Sequence, residues 1–231
     1  MATLYGVGVG PGDPELITLK ALRVLERVPV ICAPHTQKAG ESVAGEIVLA
    51  VLGPEKLQEK EFLPLHFPMT KERAALEAAW AEAATQVVAR LRTQKDVAFV
   101  TLGDPTFYST FPYLERAVRA VEPAAKVAVI PGVSAFAACA AADGIAVQGN
   151  ERLAVVPATD AADLVSVLQH FDCTVFLKAG RHLAALRAAV ESAGLEAKAR
   201  LYERCGFPDG RQGPLTAFTV ADYLSLVVVK K

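Results

Sequence analysis

The chain has 231 residues, 52% hydrophobic and 21% charged, a composition typical of a globular protein with one large domain or two small ones. Its formal net charge of −1 at pH 7 argues against a nucleic-acid binder that relies on a basic face. No apolar run approaches the roughly 20 residues of a membrane span, and the first residues lack the basic segment of a signal peptide. We therefore expect a cytoplasmic protein that binds neither nucleic acid nor membrane.

The cysteines indicate how the chain is held together. Cys32, Cys139, Cys173 and Cys205 are far apart and form no CxxC pair. This spacing favours reduced, mostly buried thiols over a zinc site or a disulfide scaffold. No second pair of metal ligands accompanies Cys32 and His35, so we interpret these two as packing and loop residues and predict no metal site.

Strand-like and helix-like patterns alternate through the first half of the chain. In order, they predict a strand at 3–9, a helix from near Thr18 through Leu25, a strand at 28–32, an amphipathic helix at 76–91, a strand at 97–102, a helix at 113–121 and a strand at 127–130. This alternation is typical of a mostly parallel sheet covered by helices.

The second half repeats the same kinds of element. An alanine-rich helix follows Pro131–Ala135, and strands are predicted around 153–156, 174–177, 199–202 and 224–229. A helix at 182–193 precedes Gly194, a good residue to end it. We predict an α/β fold of two α/β domains, 1–130 and 131–231, the first with a mostly parallel sheet.

Three turns rich in glycine and proline follow predicted strands. We name them the first turn (Gly8–Pro14), the second turn (Gly103–Tyr108) and the third turn (Pro131–Ala135). Open α/β sheets bind their ligands at the carboxyl ends of parallel strands. The carboxylate and two aromatic rings of the second turn suggest a small, flat or cationic ligand. Taken alone, however, the segment is better interpreted as an ordinary Asp-Pro turn.

The glycines of the first strand do not indicate a dinucleotide site. From Gly6 the third glycine of that fingerprint would fall on Pro11, and from Gly8 it would fall on Asp13. No GxxxxGK run indicates a phosphate-binding loop either. A nicotinamide-dependent oxidoreductase is therefore a weak alternative.

Together the three turns, in this order and at these intervals, resemble the tetrapyrrole methylase family over nearly the whole chain. The resemblance implies two α/β domains with a ligand cleft between them, S-adenosylmethionine as methyl donor, and a homodimer. Within the family, residues 13–21, 103–110 and 202–205 are most similar to the branch that methylates C20 of precorrin-2 or cobalt-factor II in cobalamin biosynthesis.

The resemblance also implies site residues. It places around the donor Pro11, Gly103, Asp104, Phe107, Ser134, Ala135, Lys178 and Cys205. Lys178 replaces a methionine common in relatives, and it is equally well read as a strand-end lysine that reaches solvent. Tyr108, Ser109 and Thr110 are implied to line the trough for the acceptor, a macrocycle with several carboxylates. His35 is a weak further candidate for its rim.

Asp104 has two open roles. It is our candidate for the catalytic base that takes the C20 proton after methyl transfer. Alternatively it only fixes the turn or accepts a hydrogen bond from the donor, and we favour this binding role over the base role.

The alternatives in function are methylation of another macrocycle carbon, or a non-catalytic protein that binds a tetrapyrrole or an adenosyl ligand. Relatives that modify diphthamide or ribosomal RNA are disfavoured, the latter by the near-neutral charge.

Overall fold

The computed structural model describes residues 2–35, 42–158 and 161–231, with only the backbone at 161 and 162. The chain divides into two compact units, Met1–Ser134 and Ala135–Lys231. Each unit is built on one five-stranded sheet. The α/β fold predicted from the sequence is confirmed.

The first unit alternates strands and helices throughout. In chain order its elements are β1 (Thr3–Gly8), α1 (Leu19–Arg27), β2 (Val30–His35), α2 (Val43–Gln58), β3 (Glu61–His66), α3 (Arg73–Arg92), β4 (Val97–Thr101), α4 (Phe111–Val121) and β5 (Lys126–Ile130). The strands lie in the order β3-β2-β4-β1-β5, and every neighbouring pair is parallel. The predicted parallel sheet is therefore confirmed.

Helices cover the sheet of the first unit, which explains the apolar runs in its central strands. All five residues of β4 are buried. Phe99 packs in one cluster with residues of α3 and α4. Gly6 lies so close to Phe111 that a Cβ there would overlap the aromatic ring. Small residues in β1 thus let α4 approach the sheet closely.

Two elements of the first unit escaped prediction for identifiable reasons. In α2 the helical pattern is interrupted at Gly53, whose φ of 77° breaks the helix just before Pro54. In β3 only Leu63 and Leu65 are buried, and Pro64 interrupts the strand signal. A proline is tolerated there because β3 is an edge strand of the sheet.

The second unit has a mixed sheet in the order β6-β7-β10-β8-β9. Its elements are α5 (Ala135–Ala142), β6 (Leu153–Pro157), α6 (Ala161–His170), β7 (Cys173–Leu177), α7 (Leu183–Ser192), β8 (Ala199–Glu203), β9 (Arg211–Pro214) and β10 (Ser225–Lys230). β6 and β7 are parallel, whereas β10 is antiparallel to both β7 and β8. The short, polar edge strand β9 and the helix α6 were not predicted.

The two faces of this second sheet bury different clusters. Alternate residues such as Phe176, Leu201 and Val227 pack with α7 on one face. Cys173, Tyr202 and neighbouring residues pack with α5 on the other. Across the described ranges of both units, no helix combines the length and the apolar character needed to cross a membrane.

Candidate functional site

The site begins at the carboxyl edge of the first sheet. Because all its strands are parallel, their carboxyl ends meet at this edge. The first, second and third turns follow β1, β4 and β5, which are neighbours in the sheet. The structure therefore brings together three segments of which the first and the third are more than a hundred residues apart in sequence.

Three glycines form the contact between the turns. A Cβ on Gly8 would lie 2.5 Å from the carbonyl oxygen of Gly103 and 2.7 Å from the amide nitrogen of Gly132. A Cβ on Gly132 would overlap the same carbonyl oxygen. Gly103 itself has a φ of 64°, a left-handed conformation that glycine adopts readily. We call these three residues the glycine contact.

Hydrogen bonds hold the first two turns against each other. The Gly103 amide donates to the carbonyl of Gly10 at 2.7 Å, and the Val9 amide donates to the carbonyl of Thr101 at 3.0 Å. The side chain of Thr18 caps α1 by accepting from the Ala21 amide, and its hydroxyl donates to the carbonyl of Pro131 at 3.3 Å. The start of α1 is thereby tied to the third turn.

Asp104 joins the second turn to the third. Its Oδ1 accepts from the amide and the hydroxyl of Thr106, at 2.7 and 2.5 Å, and its Oδ2 accepts from the Gly132 amide at 2.9 Å. The residue is buried, with 8% of its surface exposed. Both carboxylate oxygens are therefore engaged within the protein.

The surroundings of Asp104 also set its protonation. Burial by itself raises the pKa of this carboxyl, but the hydrogen bonds from Thr106 and Gly132 outweigh it and leave the pKa below its usual value. A carboxylate with a lowered pKa and both oxygens occupied is a poor proton acceptor. This geometry favours the turn-fixing and binding role over the role of catalytic base.

The residues from Phe107 to Thr110, at the end of the second turn and just after it, differ in exposure and hydrogen bonding. Phe107 and Tyr108 are each about half exposed, at 51% and 50%. Tyr108 has a φ of 51°, which is uncommon outside glycine and is often found at functional sites. The Ser109 hydroxyl donates to Thr101 Oγ1 and accepts from the Phe111 amide, so it caps α4. The side chain of Thr110 makes no such capping bond.

In the second unit, two of the predicted donor residues share one sheet edge. Lys178 directly follows β7, and Cys205 comes two residues after the end of β8. Because both strands are antiparallel to β10, their carboxyl ends lie at the same edge. Lys178 and Arg204 have φ values of 59° and 46°, so both strands end in a left-handed turn. Ala135 is the first residue of α5.

The sequence analysis missed a polar network centred on Asp143, the residue after α5. Its Oδ2 accepts from Arg200 Nε and from the Tyr202 hydroxyl, and its Oδ1 accepts from Gln212 Nε2 at 3.1 Å. Burial raises the pKa of Asp143, but the bonds from Tyr202 and Arg200 outweigh it and lower the pKa below its usual value. In sequence, Asp143-Gly144 has the composition of a simple turn. Nothing in the spacing of residues indicates that it contacts strands about sixty residues later in the chain.

Cys205 is also held from the α5 side. Its thiol is in hydrogen-bonding contact with that of Cys139, which lies on α5. This contact and the burial of Cys139 raise the pKa of the Cys139 thiol, whereas the contact lowers that of Cys205. The Asp143 network and the thiol contact together fix α5 against the end of β8.

Comparison with known proteins identifies the family. The family described as Tetrapyrrole (Corrin/Porphyrin) Methylases matches residues 3–220. The chain belongs to the tetrapyrrole methylases. Similar proteins include a probable cobalt-precorrin-2 C(20)-methyltransferase of Methanocaldococcus jannaschii, 33% identical over 99% of this chain and 96% of the relative. A precorrin-2 C(20)-methyltransferase of a Sinorhizobium species is 34% identical over 98% of this chain and 94% of its own length.

A solved structure supports the same assignment. The uroporphyrin-III C-methyltransferase of Thermus thermophilus superimposes with a TM-score of 0.70 at 25% identity, over 100% of this chain and 95% of the other. The family resemblance drawn from the three turns is therefore confirmed. Among tetrapyrrole methylases, this chain is similar to relatives named for C20 methylation of cobalt-precorrin-2 and of precorrin-2.

The glycine contact predicts a specific sensitivity to added volume. Gly132→Ala places a methyl group against the Gly103 carbonyl, so we expect a loss of about 1–3 kcal/mol in the free energy of unfolding. The control is Gly213→Ala on β9, where a Cβ meets only the Phe218 ring at 3.4 Å. Thermal and urea unfolding of the two variants measure the difference. A Gly132→Ala variant as stable as the control would contradict the glycine contact.

Asp104 predicts a pH-dependent stability. Asp104→Asn loses charged hydrogen bonds, so at pH 7 we expect it to be about 1–3 kcal/mol less stable than the wild type. Because the folded-state pKa is lowered, this difference is fully present above the unfolded-state pKa of about 3.9 and is lost as the pH falls through the folded-state pKa.

Urea unfolding between acidic and neutral pH measures this effect. Thr106→Val is the matched variant, since it removes one hydroxyl donor but leaves the carboxylate and both amide donors. We expect it to lose less than Asp104→Asn at pH 7. A stability difference for Asp104→Asn that stays constant down to the lowest pH would show that the carboxylate charge contributes nothing.

Proposed function

We propose that this protein transfers a methyl group from S-adenosylmethionine to C20 of precorrin-2 or cobalt-factor II, a step of cobalamin biosynthesis. The observation that carries this proposal is the similarity, over nearly the whole chain, to relatives named for C20 methylation of precorrin-2 or cobalt-precorrin-2. The acceptor is therefore a tetrapyrrole macrocycle with several carboxylates.

The donor-binding residues of the first unit lie around the glycine contact. We assign Pro11, Gly103, Asp104, Phe107 and Ser134 to this role, as the family resemblance implies. Glycine at these positions lets the three turns pack backbone against backbone, so the turns present backbone and short side chains to the amino-acid and nucleoside groups of the donor. The exposed ring of Phe107 adds an apolar surface to the same turn.

The proposal extends to Ala135, Lys178 and Cys205 of the second unit. Cys205 and Ala135 belong to the segments that the thiol contact and the Asp143 network fix. Lys178 has a left-handed backbone conformation at the end of β7. The strand fixes this backbone independently of what the side chain contacts. A backbone contact to the donor would survive the replacement of methionine by lysine at this position.

The chemistry requires positioning more than proton transfer. S-adenosylmethionine supplies an electrophilic methyl group on a sulfonium, and the sulfur keeps the bonding pair when the methyl leaves. The protein's part is to hold this methyl and the macrocycle carbon in line, which rigid turns on strand ends accomplish. The proton lost from C20 passes to solvent water, because the two oxygens of Asp104 already accept hydrogen bonds from Thr106 and Gly132.

For the acceptor we assign Tyr108, Ser109 and Thr110, which extend the second turn toward α4. The Ser109 hydroxyl already bonds to Thr101 and to the start of α4. Its contribution to acceptor binding is therefore mainly to hold Tyr108 and Thr110 in position. Tyr108, half exposed in a left-handed conformation, is the residue of the three best placed to contact a large planar ligand.

We further propose a homodimer in the cytoplasm. The dimer rests on the family resemblance. The compartment is supported by the cysteines, since Cys32, Cys139 and Cys173 are buried free thiols and Cys205 is a partly buried one.

Methyl transfer to a defined carbon tests the function. The purified protein is incubated with methyl-labelled S-adenosylmethionine and either precorrin-2 or cobalt-factor II, and the product is analysed by mass spectrometry and NMR. We expect one added methyl at C20 and an equal amount of S-adenosylhomocysteine. A methyl on another carbon would assign a different step, and binding without product would make the protein non-catalytic.

The same assay separates the two roles of Asp104. For Asp104→Asn we expect a higher KM for the donor with kcat nearly unchanged, because the variant loosens the second and third turns. A large fall in kcat at saturating donor would instead restore Asp104 as the base.

A further inference from the structure

Two histidines lie at the carboxyl edge of the first sheet outside the glycine contact. His35 ends β2 and His66 ends β3, and the parallel register pairs them directly. Their ring centroids are 5.4 Å apart with the planes tilted by 50°. Both residues are partly buried. Because β2 and β3 are parallel to β4, this histidine pair lies at the same edge as the three turns.

His66 carries a polar atom that has no partner in the part of the chain that the structure describes. Its Nδ1 is buried and accepts or donates no hydrogen bond among those residues. An unsatisfied buried polar group destabilises the folded state because it has lost its hydrogen bonds to water. Such an atom in a native structure calls for an explanation, and a ligand that supplies the missing bond is one.

The position of the pair relative to the second turn suits a large ligand. The strand order β3-β2-β4 places β2 one strand, and β3 two strands, from the second turn. With strands about 4.8 Å apart, these displacements are roughly 5 and 10 Å. A tetrapyrrole macrocycle spans that range, so a ligand beside Tyr108 reaches the histidine pair.

The acceptor's charge requires contacts that the turns themselves do not offer. Residues 8–14, 103–110 and 131–134 contain no lysine and no arginine. Carboxylates on a bound macrocycle need N–H donors, and charge-assisted bonds to imidazole are strong ones. The histidine pair supplies such donors at the edge where the turns supply no lysine or arginine.

Building on the proposed function, we propose that His35 and His66 bind a carboxylate side chain of the tetrapyrrole acceptor. His66 contributes the nitrogen that the fold leaves unsatisfied, and His35 presents a second ring beside it. The pair therefore determines affinity for the acceptor and takes no part in donor binding.

Ligand titrations with histidine variants test this assignment. The variants are His66→Asn, His66→Gln and His35→Asn. The control is His170→Asn on α6, where an exposed histidine contacts the carbonyl of Ser166 in its own helix. Cobalt-factor II is titrated by its absorbance, and S-adenosylhomocysteine is titrated by calorimetry. The methyl ester of cobalt-factor II serves as the uncharged probe.

We expect the His66 and His35 variants to bind cobalt-factor II about tenfold more weakly, since each loses a charge-assisted hydrogen bond. Their affinity for the methyl ester and for S-adenosylhomocysteine should match that of the wild type, as should every affinity of His170→Asn. If His66→Asn does not fold, His66→Gln and His35→Asn give the answer.

Three results would overturn the assignment. The first is an affinity for cobalt-factor II within twofold of the wild type in folded His66 and His35 variants. The second is an equal loss of affinity for the acid and the ester. The third is a lower kcat with unchanged acceptor KM, which would make the pair part of the chemistry instead. A wild type that methylates no tetrapyrrole refutes the proposed function itself, so the two failures are distinguishable.

Discussion

The close approach of three glycine backbones at the carboxyl edge of the first sheet is the constraint on which the candidate site depends. Gly8, Gly103 and Gly132 contact one another so closely that a Cβ on Gly8 or Gly132 would overlap another backbone. Strands β4, β1 and β5 lie side by side and parallel, and this places their carboxyl ends next to one another. The sheet order, the absence of side chains and the hydrogen bonds of Asp104 are therefore parts of one arrangement.

This arrangement is consistent with a candidate site whose turns carry few charged side chains. Backbone groups fixed by the sheet require no side-chain ordering when a ligand binds, so little conformational entropy is lost. The Asp104 carboxylate holds Gly132 and Thr106 in place by accepting hydrogen bonds from them. The second unit also uses a carboxylate to fix its backbone. Asp143 ties the end of α5 to β8 by accepting hydrogen bonds from Arg200 and Tyr202.

Much of this was predictable from the sequence, and the rest was not for physical reasons. Alternating patterns predicted the parallel sheet, and the three turns predicted the family, because glycine and proline mark places where only special backbone conformations fit. The strand β3 was missed because Pro64 and its exposed residues carry weak strand signals. The Asp143 network and the His35–His66 pair depend on register between distant strands, which a single sequence does not encode locally.

The most direct test of the central claim is amide hydrogen exchange of the glycine turns, measured by NMR with and without S-adenosylhomocysteine. The Gly103 amide is bonded to Gly10 and the Gly132 amide to Asp104. If the turns are preformed, both amides are strongly protected before any ligand is added, and their protection changes little on binding. Exchange at the rate of an unfolded peptide, slowed only when ligand is present, would contradict a site built into the fold.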